Sequence, residues 1–458
     1  PERNAQKAAV ERGASIHADA KVKGDGGQVV VWSDEKTTFD GTITAKGGSE
    51  GGNGGQVETS GNSLKVGDNA RVETLAPRGL YGQWLLDPVD FVIAASGGDM
   101  TGAQLSSNLA SSNVEIKSSD GKVNGNGDIF VNDAVSWAAN TTLALTADRN
   151  VNVNANITAT GANAGLTITP QNGAFDLQGG KITLSGANPS LNIAGQKYTV
   201  INSIHALQDI DNNLSGYYAL GSDINASETR YWNNGKGFDP IGYRTEFITD
   251  ANGAFCGALY GLGHTIHELT INRPEDDQIG FFVKLSNDAK IYDFTLNNIF
   301  IQGRNHVGSL ASQALESVLI KNIHINGNSG CDPNIGLGNV QGEMIGGLVG
   351  SNNGDIINCS FSGNVTGGKY GVGGIAGINS GQIANSYSKA NIIGHDGKYN
   401  SSHIGGLVGI NSNGIIKNSY SQSSVIGNSY VGGLIGYMNN GTIYNSYSSG
   451  FVSAQEHV

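Results

Sequence analysis

Hydrophobic and polar residues alternate in short runs along most of this chain, and the runs are too short to form ordinary helices. In "NVNVNANITATGANAGLTITP", which begins at Asn150, the two kinds of residue alternate with a period of two, as they do in strands that bury one face. Segments rich in Gly, Asn and Ser separate these runs, and such residues favour turns. The pattern therefore predicts many short strands joined by tight turns.

Four consecutive copies of one sequence unit occupy the C-terminal part, and each copy carries a glycine pair. The copies begin "IGGLVG", "VGGIAG", "IGGLVG" and "VGGLIG". The pairs start at Gly346, Gly373, Gly405 and Gly432, so the spacings are 27, 32 and 27 residues. The extra residues of the longest unit fall in the polar segment "HDGKYNSS". Insertions confined to one polar segment are expected when the units stack and loop out at one corner.

Each unit reads as a strand "GGLVG", a turn, a second strand such as "GIIKNSYS" and a third strand ending in "VIG". None of these strands can bury its own apolar face, so each must pair with the equivalent strand of the next unit. This arrangement predicts an all-β fold, a parallel β-helix that rises about 4.8 Å per unit. The predicted core consists of Leu348, Ile375, Leu407 and Leu434, with Ile356, Ile383, Ile416 and Ile443 nearby.

Asparagine and tyrosine recur at fixed places in the units, at Asn358, Asn385, Asn418 and Asn445 and at Tyr387, Tyr420 and Tyr447. Stacked amides can hydrogen-bond along the axis of a stack, and stacked rings can form a similar ladder. We interpret both sets as structural. The alternatives are a row of amides that binds glycans and an aromatic platform for carbohydrate.

The chain before these units uses other patterns. "GGQV" occurs at Gly26 and again at Gly54, 28 residues later, which predicts one repeat of similar size. Short helices are predicted at "TGAQLSSNLASS", and at "SIHALQDIDNNL" with Ser203 as its N-cap. We predict four domains. Residues 1–95 form β-helix repeats of the "GGQV" type, 96–200 further β-helix repeats with a helical insertion, 201–275 a lead-in segment with a short helix, and 276–458 the C-terminal repeats.

Composition narrows the possible functions. Glycine supplies 69 of 458 residues and charged residues only 14%, whereas ordinary globular proteins carry about half as much glycine and about 25% charge. A net charge of −12 repels nucleic acid.

The chain has three cysteines, Cys256, Cys331 and Cys359, and no two of them form a CxxC motif. We therefore expect a stability that does not depend on disulfides. The sequence contains no apolar run long enough to span a membrane and begins and ends within its patterns, which predicts a fragment.

Two sets of motifs resemble known families. "GNGGQVETSG" followed by "YGQWLLDPVDFVI" resembles filamentous-haemagglutinin-like exoproteins of the two-partner secretion pathway. The units from Ile345 onward are similar to GLUG repeats, and "FDPIG" with "FCGALYGLGHTIHELTIN" resembles the lead-in to such repeats. The resemblance implies a long right-handed β-helix, export across a bacterial outer membrane through a partner transporter, and a role in adhesion and virulence.

The sequence offers few groups for catalysis. The best charged cluster is "NRPEDDQ", with Arg273, Glu275, Asp276 and Asp277, which we interpret as a solvated turn between strands. Four aspartates do not recur at the repeat spacing, so we expect no shared face for them: Asp209, Asp211, Asp223 and Asp239. His264 and His267 lack the spacing of the HExxH zinc motif, and His264 is predicted at a corner.

These observations predict a secreted or surface-exposed filamentous adhesin that attaches to a host-cell receptor or glycan. We predict that it is not an enzyme and uses no cofactor or metal, and that it has no nucleic-acid partner. Two alternatives remain open. One is a carbohydrate-active β-helix enzyme, and the other is a stalk that carries a toxin or a binding tip outside this sequence.

Overall fold

A computed structural model describes residues 4–119, 125–242, 253–331, 344–367, 370–394 and 402–455. Strands hold 53% of the residues and helices 6%, so the predicted all-β class is confirmed. The chain divides into two compact units, Pro1–Val200 and Ile201–Val458. The finer domain boundaries near residues 95 and 275 stay predictions. The polar insertion at 395–401 lies outside the described residues.

In the first unit, strands pair in parallel with strands one repeat later in the sequence. The longest sheet follows chain order and consists of Lys7–Val10, Gln28–Phe39, Gln56–Val66, Gln83–Asp87, Asn113–Lys117, Thr142–Ala147, Gly165–Pro170 and Ser190–Ile193. Three shorter parallel sheets consist of Ser15–His17, Thr42–Thr44 and Arg71–Glu73; of Phe91–Ile93, Ile129–Val131, Val151–Val153 and Phe175–Leu177; and of Val135–Trp137, Ile157–Ala159 and Ile182–Leu184. Gln196–Ile201 pairs with Ser190–Ile193 in antiparallel fashion.

One helix of the first unit, Gly102–Leu109, lies where the sequence predicts it. The Thr101 hydroxyl accepts a hydrogen bond from the Gln104 backbone N–H and caps the helix, which satisfies one of the free donors of the first turn. Leu105 and Leu109 are fully buried. The helix therefore packs its apolar face onto the strands next to it.

In the second unit, three sets of strands pair in parallel. One set begins with Tyr217–Leu220, Ile224–Asn225, Ala258–Tyr260, Thr265–His267, Thr270–Asn272, Lys290–Gly303 and Leu319–Cys331, and continues in the C-terminal repeats as Asp355–Ile357, Ser360–Gly367, Gln382–Ala384, Tyr387–Gly394, Ile415–Lys417, Tyr420–Ser421, Ser424–Gly427, Thr442–Tyr444, Tyr447–Ser448 and Val452–Ala454. The second consists of Phe282–Leu285, Ala311–Ala314, Val349–Asn352, Ala376–Asn379, Val408–Ser412 and Ile435–Asn439, and the third of Val307–Gly308, Ile345–Gly346, Tyr370–Gly373, Ser402–Gly405 and Ser429–Gly432.

Equivalent residues of successive C-terminal repeats lie side by side. Ile356, Ile383, Ile416 and Ile443 pair in register. Of the predicted core residues, Leu434 is only partly buried and Ile443 is 39% exposed, whereas the other six are fully buried. Burying one such side chain is worth about 1.5–3 kcal/mol. The apolar positions of one repeat are therefore stabilised mainly by the repeats beside it.

The prediction that "GGLVG" forms one strand is wrong. Strand Ile345–Gly346 ends at the first glycine, and the next strand begins at Val349. Gly347 and Leu348 form a corner between them, and Leu348 turns inward and is fully buried. An apolar side chain can thus reach the core from a corner as well as from a strand. The alternation of apolar and polar residues with a period of two therefore does not hold at the corners.

The predicted helix after Ser203 is present. It runs over Ile204–Gln208 and continues as the 3₁₀ turn Asp209–Asn212. The Ser203 hydroxyl accepts a hydrogen bond from the Ala206 N–H, and Ile204, Leu207 and Ile210 are buried. A second helical segment outside the strands, Ser227–Gly235, consists of 3₁₀ turns interrupted at Trp232. We call this segment an excursion.

Candidate binding surface

The glycine pairs recur because no side chain fits at the corners that they form. A Cβ atom on Gly346, Gly405 or Gly432 would lie 1.9 Å from the carbonyl oxygen three residues ahead, and on Gly373 it would lie 2.2 Å from that oxygen. Real Cβ atoms do not approach backbone oxygens this closely, because such contacts are sterically forbidden. The role of these glycines is therefore close backbone approach rather than an unusual backbone angle.

The recurring asparagines share a left-handed backbone conformation. Asn358, Asn385, Asn418 and Asn445 have φ between 49° and 53°, a region that costs most non-glycine residues about 1–2 kcal/mol and that Asn tolerates best. Asn358 donates to Asn322 Oδ1 at 2.7 Å, and Asn418 donates to Asn385 Oδ1 at 3.2 Å. The turn geometry thus gives a reason for Asn at this position that adds to the hydrogen bonds between side chains.

The three recurring tyrosines stack on one another. The ring centroids of Tyr387 and Tyr420 are 5.0 Å apart with planes 5° from parallel, and those of Tyr420 and Tyr447 are 5.3 Å apart at 8°. Lys389 Nζ lies 5.3 Å from the ring centre of Tyr387. Because most of the ring faces contact a neighbouring ring or the ammonium group, the stack offers a ligand mainly ring edges.

A second asparagine ladder, which the sequence analysis missed, lies in the core. Asn352, Asn379 and Asn411 have no solvent exposure. Asn352 donates to Asn379 Oδ1 and Asn379 donates to Asn411 Oδ1, both at 2.8 Å. Each Nδ2 also donates to a glycine carbonyl within the same turn. The signal was available, since each residue stands six positions after the first glycine of its pair, where the last repeat has Met438.

The charged segment at Arg273 is not a solvated turn, and that interpretation was wrong. The Arg273 side chain is only 5% exposed and forms ion pairs with Asp239 and with Asp276. Arg304 holds Asp277 with two hydrogen bonds of 2.8 Å. A buried guanidinium requires carboxylate partners, and one of them comes from 34 residues earlier. Three aspartates are therefore engaged in ion pairs, and the pairs Arg273–Asp239 and Arg304–Asp277 join segments that are distant in the sequence.

The two histidines of "GHTIHEL" have different surroundings. His264 is 2% exposed, and its Nδ1 lies 2.9 Å from Asp223 Oδ1, which also accepts a hydrogen bond from the Thr265 N–H. Asp223 contacts His264 and Asp239 contacts Arg273, and the expectation that the aspartates share no face stays a prediction. Within the described ranges, no three His, Cys, Asp or Glu side chains are grouped to hold a metal ion.

Burial raises the pKa of the Cys359 thiol to about 12. Cys256 and Cys359 are free thiols, and the side chain of Cys331 lies outside the described part of the structure. A buried thiol with a raised pKa is a poor nucleophile.

No helix among the described residues is both long and apolar enough to cross a membrane.

A groove on the outer face of the longest sheet of the second unit presents amides beside exposed apolar groups. Its volume is about 400 Å³, and its walls include Phe300, Gln302 and Ile393. Gly330 forms part of the floor, and a Cβ there would lie 2.2 Å from the Thr366 carbonyl oxygen. None of the residues that line the groove carries a charge.

A column of three amides crosses successive strands here; Asn328 and Asn364 line the groove, and Asn391 continues the column outside its lining. Asn328, Asn364 and Asn391 pair in register. Asn364 donates to Asn328 Oδ1 at 2.7 Å, and Asn391 donates to Asn364 Oδ1 at 3.2 Å. Each amide has two N–H donors and two acceptor lone pairs, and each contact uses one donor and one lone pair. All three side chains are exposed, so the remaining donors and acceptors face solvent.

Comparisons with known proteins found two family models that match parts of this chain. Residues 192–327 match the family described as "M26 IgA1-specific Metallo-endopeptidase N-terminal region". Residues 341–366 and 400–426 match the GLUG motif, which confirms that resemblance for two of the four repeats. The resemblance to filamentous-haemagglutinin-like exoproteins stays a prediction.

Similar curated proteins are much longer than this chain. Halomucin of Haloquadratum walsbyi is 40% identical over 116 residues, which are 24% of this chain and 1% of halomucin. An immunoglobulin A1 protease of Streptococcus sanguinis is 28% identical over 163 residues, 35% of this chain and 7% of the relative. That of Streptococcus pneumoniae is 31% identical over 118 residues, 26% of this chain and 5% of the relative.

These matches overturn the prediction that the protein is not an enzyme. They relate residues 192–327 to the N-terminal region of a metallo-endopeptidase. The chemical motifs that we sought gave no sign of this relationship, because they mark the residues that perform catalysis and not the regions that accompany them.

Proposed function

We propose that this chain is a segment of a large extracellular surface or secreted protein and that it attaches that protein to glycan-bearing surfaces. The observation that carries the proposal is the uncharged groove lined by the exposed amides of Asn328 and Asn364, whose column Asn391 continues on the next strand. The GLUG motif and the kinship to large secreted or surface proteins support the extracellular location.

The proposal includes the finer architecture and export route. Parallel, in-register pairing between successive repeats supports a right-handed parallel β-helix, in which each repeat adds to the one before it. Export through an outer-membrane two-partner transporter fits this architecture, since repeats can fold one after another as the chain emerges. A role as a filamentous adhesin rests on the same architecture and on the groove.

The ligand class follows from the chemistry of the groove. Neighbouring strands lie about 4.8 Å apart, so amides in register repeat at a distance comparable to the length of one sugar ring in a linear polysaccharide. Amides offer donors and acceptors to sugar hydroxyls, and Phe300, which is 39% exposed, offers an apolar ring. Because no charged side chain lines the groove, the ligand it fits best is a neutral glycan.

Replacing Asn364 by alanine should weaken binding of a neutral glycan about tenfold. The substitution removes a donor and an acceptor at the centre of the column and leaves its two neighbours without one partner each, a loss of about 1–2 kcal/mol. The measurement is the affinity of wild-type and variant protein for neutral polysaccharides that bind on a glycan array.

The matched control is Asn154→Ala in the first unit. Asn154 is also exposed and donates to another asparagine, Asn132, at 2.7 Å, so the control removes the same kind of bond far along the chain. Equal affinity in wild type and Asn364→Ala, or an equal loss in both variants, would show that the groove is not the binding site.

A second candidate function is part of a metallo-endopeptidase that acts on IgA1, and the match of residues 192–327 favours it. If this is correct, the protein carrying this segment should cleave IgA1, and chelation of metal ions should abolish the cleavage. The measurement is electrophoresis of IgA1 after incubation with the protein, with and without chelator. Binding of IgA1 without cleavage would indicate that this segment holds the substrate, whereas neither binding nor cleavage would contradict the candidate function.

A further inference from the structure

A short excursion in the second unit exposes an arginine and a tyrosine together. Within Ser227–Gly235, Tyr231 is 73% exposed. The guanidinium carbon of Arg230 lies 4.9 Å from the centre of the Tyr231 ring. Asn234, in the same segment, and Lys236, which directly follows the segment, are exposed as well. We call Arg230, Tyr231, Asn234 and Lys236 the Arg230 projection.

The neighbouring residues anchor this excursion firmly. Trp232 stacks on His205, with ring centroids 5.0 Å apart, and on the buried Phe238 at 6.3 Å. The Thr229 hydroxyl is buried, donates to the Ala226 carbonyl at 2.6 Å and accepts from the Thr270 N–H at 3.0 Å. Arg230 and Tyr231 therefore stand on a framework tied to the core on both sides.

The backbone after Trp232 adopts an uncommon conformation. Asn233, Asn234 and Gly235 are consecutive residues with φ of 52°, 58° and 83°, and Asn233 donates to the Gly237 carbonyl at 2.9 Å. Successive left-handed residues are strained, and such strain persists where the surrounding structure enforces it and is common at binding sites. Arg230 and Tyr231, which lie before Trp232 and this left-handed segment, are both exposed.

Arg230 also differs from the arginines that form ion pairs. Arg71, Arg149, Arg273 and Arg304 each pair with a carboxylate, whereas Arg230 has no carboxylate partner among the residues that the structure describes. A guanidinium presents a planar fork that matches a carboxylate. In a chain with a net charge of −12, the Arg230 guanidinium and the exposed ammonium group of Lys236, six positions later in the sequence, are the cationic groups of the Arg230 projection.

We propose that the Arg230 projection binds a carboxylate-bearing sugar, such as a sialic acid or a uronic acid. Arg230 holds the carboxylate through a charge-assisted hydrogen bond, the Tyr231 ring packs on the apolar face of the sugar, and Asn234 bonds its hydroxyls. An acidic peptide would use the arginine but would leave the exposed ring and the amide without a matching partner, so the sugar fits better. This site is separate from the uncharged groove at Asn364 and takes a different ligand.

The test is calorimetric titration of the intact chain with sialyllactose, with a glucuronic acid disaccharide, with lactose and with an oligoglutamate peptide. We expect binding of one of the two acidic sugars, which identifies the source of the carboxylate, and weaker binding of lactose and of the peptide. Arg230→Gln should lower the affinity for the acidic sugar about tenfold or more, since a hydrogen bond to a charged group is lost. Tyr231→Leu should weaken binding similarly, and Tyr231→Phe should retain it.

The matched control is Arg78→Gln, which makes the same change in net charge at another exposed arginine and should leave the affinity unchanged. Higher ionic strength should weaken wild-type binding more than binding by Arg230→Gln. No binding of either acidic sugar, tighter binding of the peptide, or equal losses in Arg230→Gln and Arg78→Gln would overturn the proposal. Asn364→Ala should not affect this binding, so failure here is distinguishable from failure of the groove proposal.

Discussion

Asn379→Leu should lower the free energy of unfolding of the second unit by about 3 kcal/mol or more. Asn379 is fully buried, accepts from Asn352 Nδ2, and donates to Asn411 Oδ1 and to the Gly381 carbonyl. Leucine has the same branched shape and number of heavy atoms, but it leaves one donor of Asn352 and the Asn411 Oδ1 acceptor unpaired, while the Gly381 carbonyl keeps the Ile415 N–H as its donor. Each buried unpaired group costs about 1–3 kcal/mol. The measurement is urea unfolding followed by circular dichroism.

The exposed ladder provides the control for this prediction. Asn364→Leu breaks a bond of 2.7 Å to Asn328, but water replaces the lost partner, so stability should change by no more than about 0.5 kcal/mol. Equal losses in the two variants would mean that the hydrogen bond itself, and not its burial, determines the cost. That outcome would contradict our assignment of the core ladder as a structural element.

A triple variant separates pairing from packing. When Asn352, Asn379 and Asn411 are all changed to leucine, the amides that bond to one another are removed together. The groups that then lose a partner are three glycine carbonyls, the Gly354 N–H and, through longer contacts, the Gln382 carbonyl and the Met438 sulfur. Replacing both partners of a buried hydrogen bond by apolar groups is much less harmful than replacing one. We therefore expect the triple variant to lose less stability than the sum of three single variants.

The sequence predicted the all-β class, the recurrence of the glycine pairs, and the helices after Thr101 and Ser203. Each of these features depends on local rules of backbone geometry and capping. Sequence spacing could not distinguish which asparagine row is buried. Asn358 and Asn352 both recur in the repeats, but the first lies in an exposed left-handed turn and the second faces the core.

Contacts between distant parts of the chain were not predictable in the same way. Arg273 pairs with Asp239 and His264 with Asp223, across 34 and 41 residues, and neither separation equals a repeat. The groove likewise depends on Gly330, where a missing side chain between Gln302 and Thr366 leaves space. Such a gap is visible only once the register of neighbouring strands is known.

Gly405→Ala should be the most damaging single change among the C-terminal repeats. Its Cβ would lie 1.9 Å from the Val408 carbonyl oxygen and 2.7 Å from the backbone nitrogen of Gly436 in the next repeat. Both contacts are with backbone, which cannot move aside as a side chain can. We expect a loss of more than about 4 kcal/mol, a size that single substitutions reach only when a core or the backbone is disrupted. Urea unfolding of wild type and variant measures it.

Gly235→Ala is the control, because a Cβ there would meet nothing within 4 Å although φ is 83°. Alanine at this open position should cost only about 1 kcal/mol, from backbone strain alone. The large difference expected between the two variants arises because Gly405 lies where two repeats meet, so a displaced corner also disturbs the pairing of Ile404 with Val431. Stacked repeats are stabilised through their interfaces, so a loss at Gly405 no larger than at Gly235 would show that the corners do not hold neighbouring repeats together.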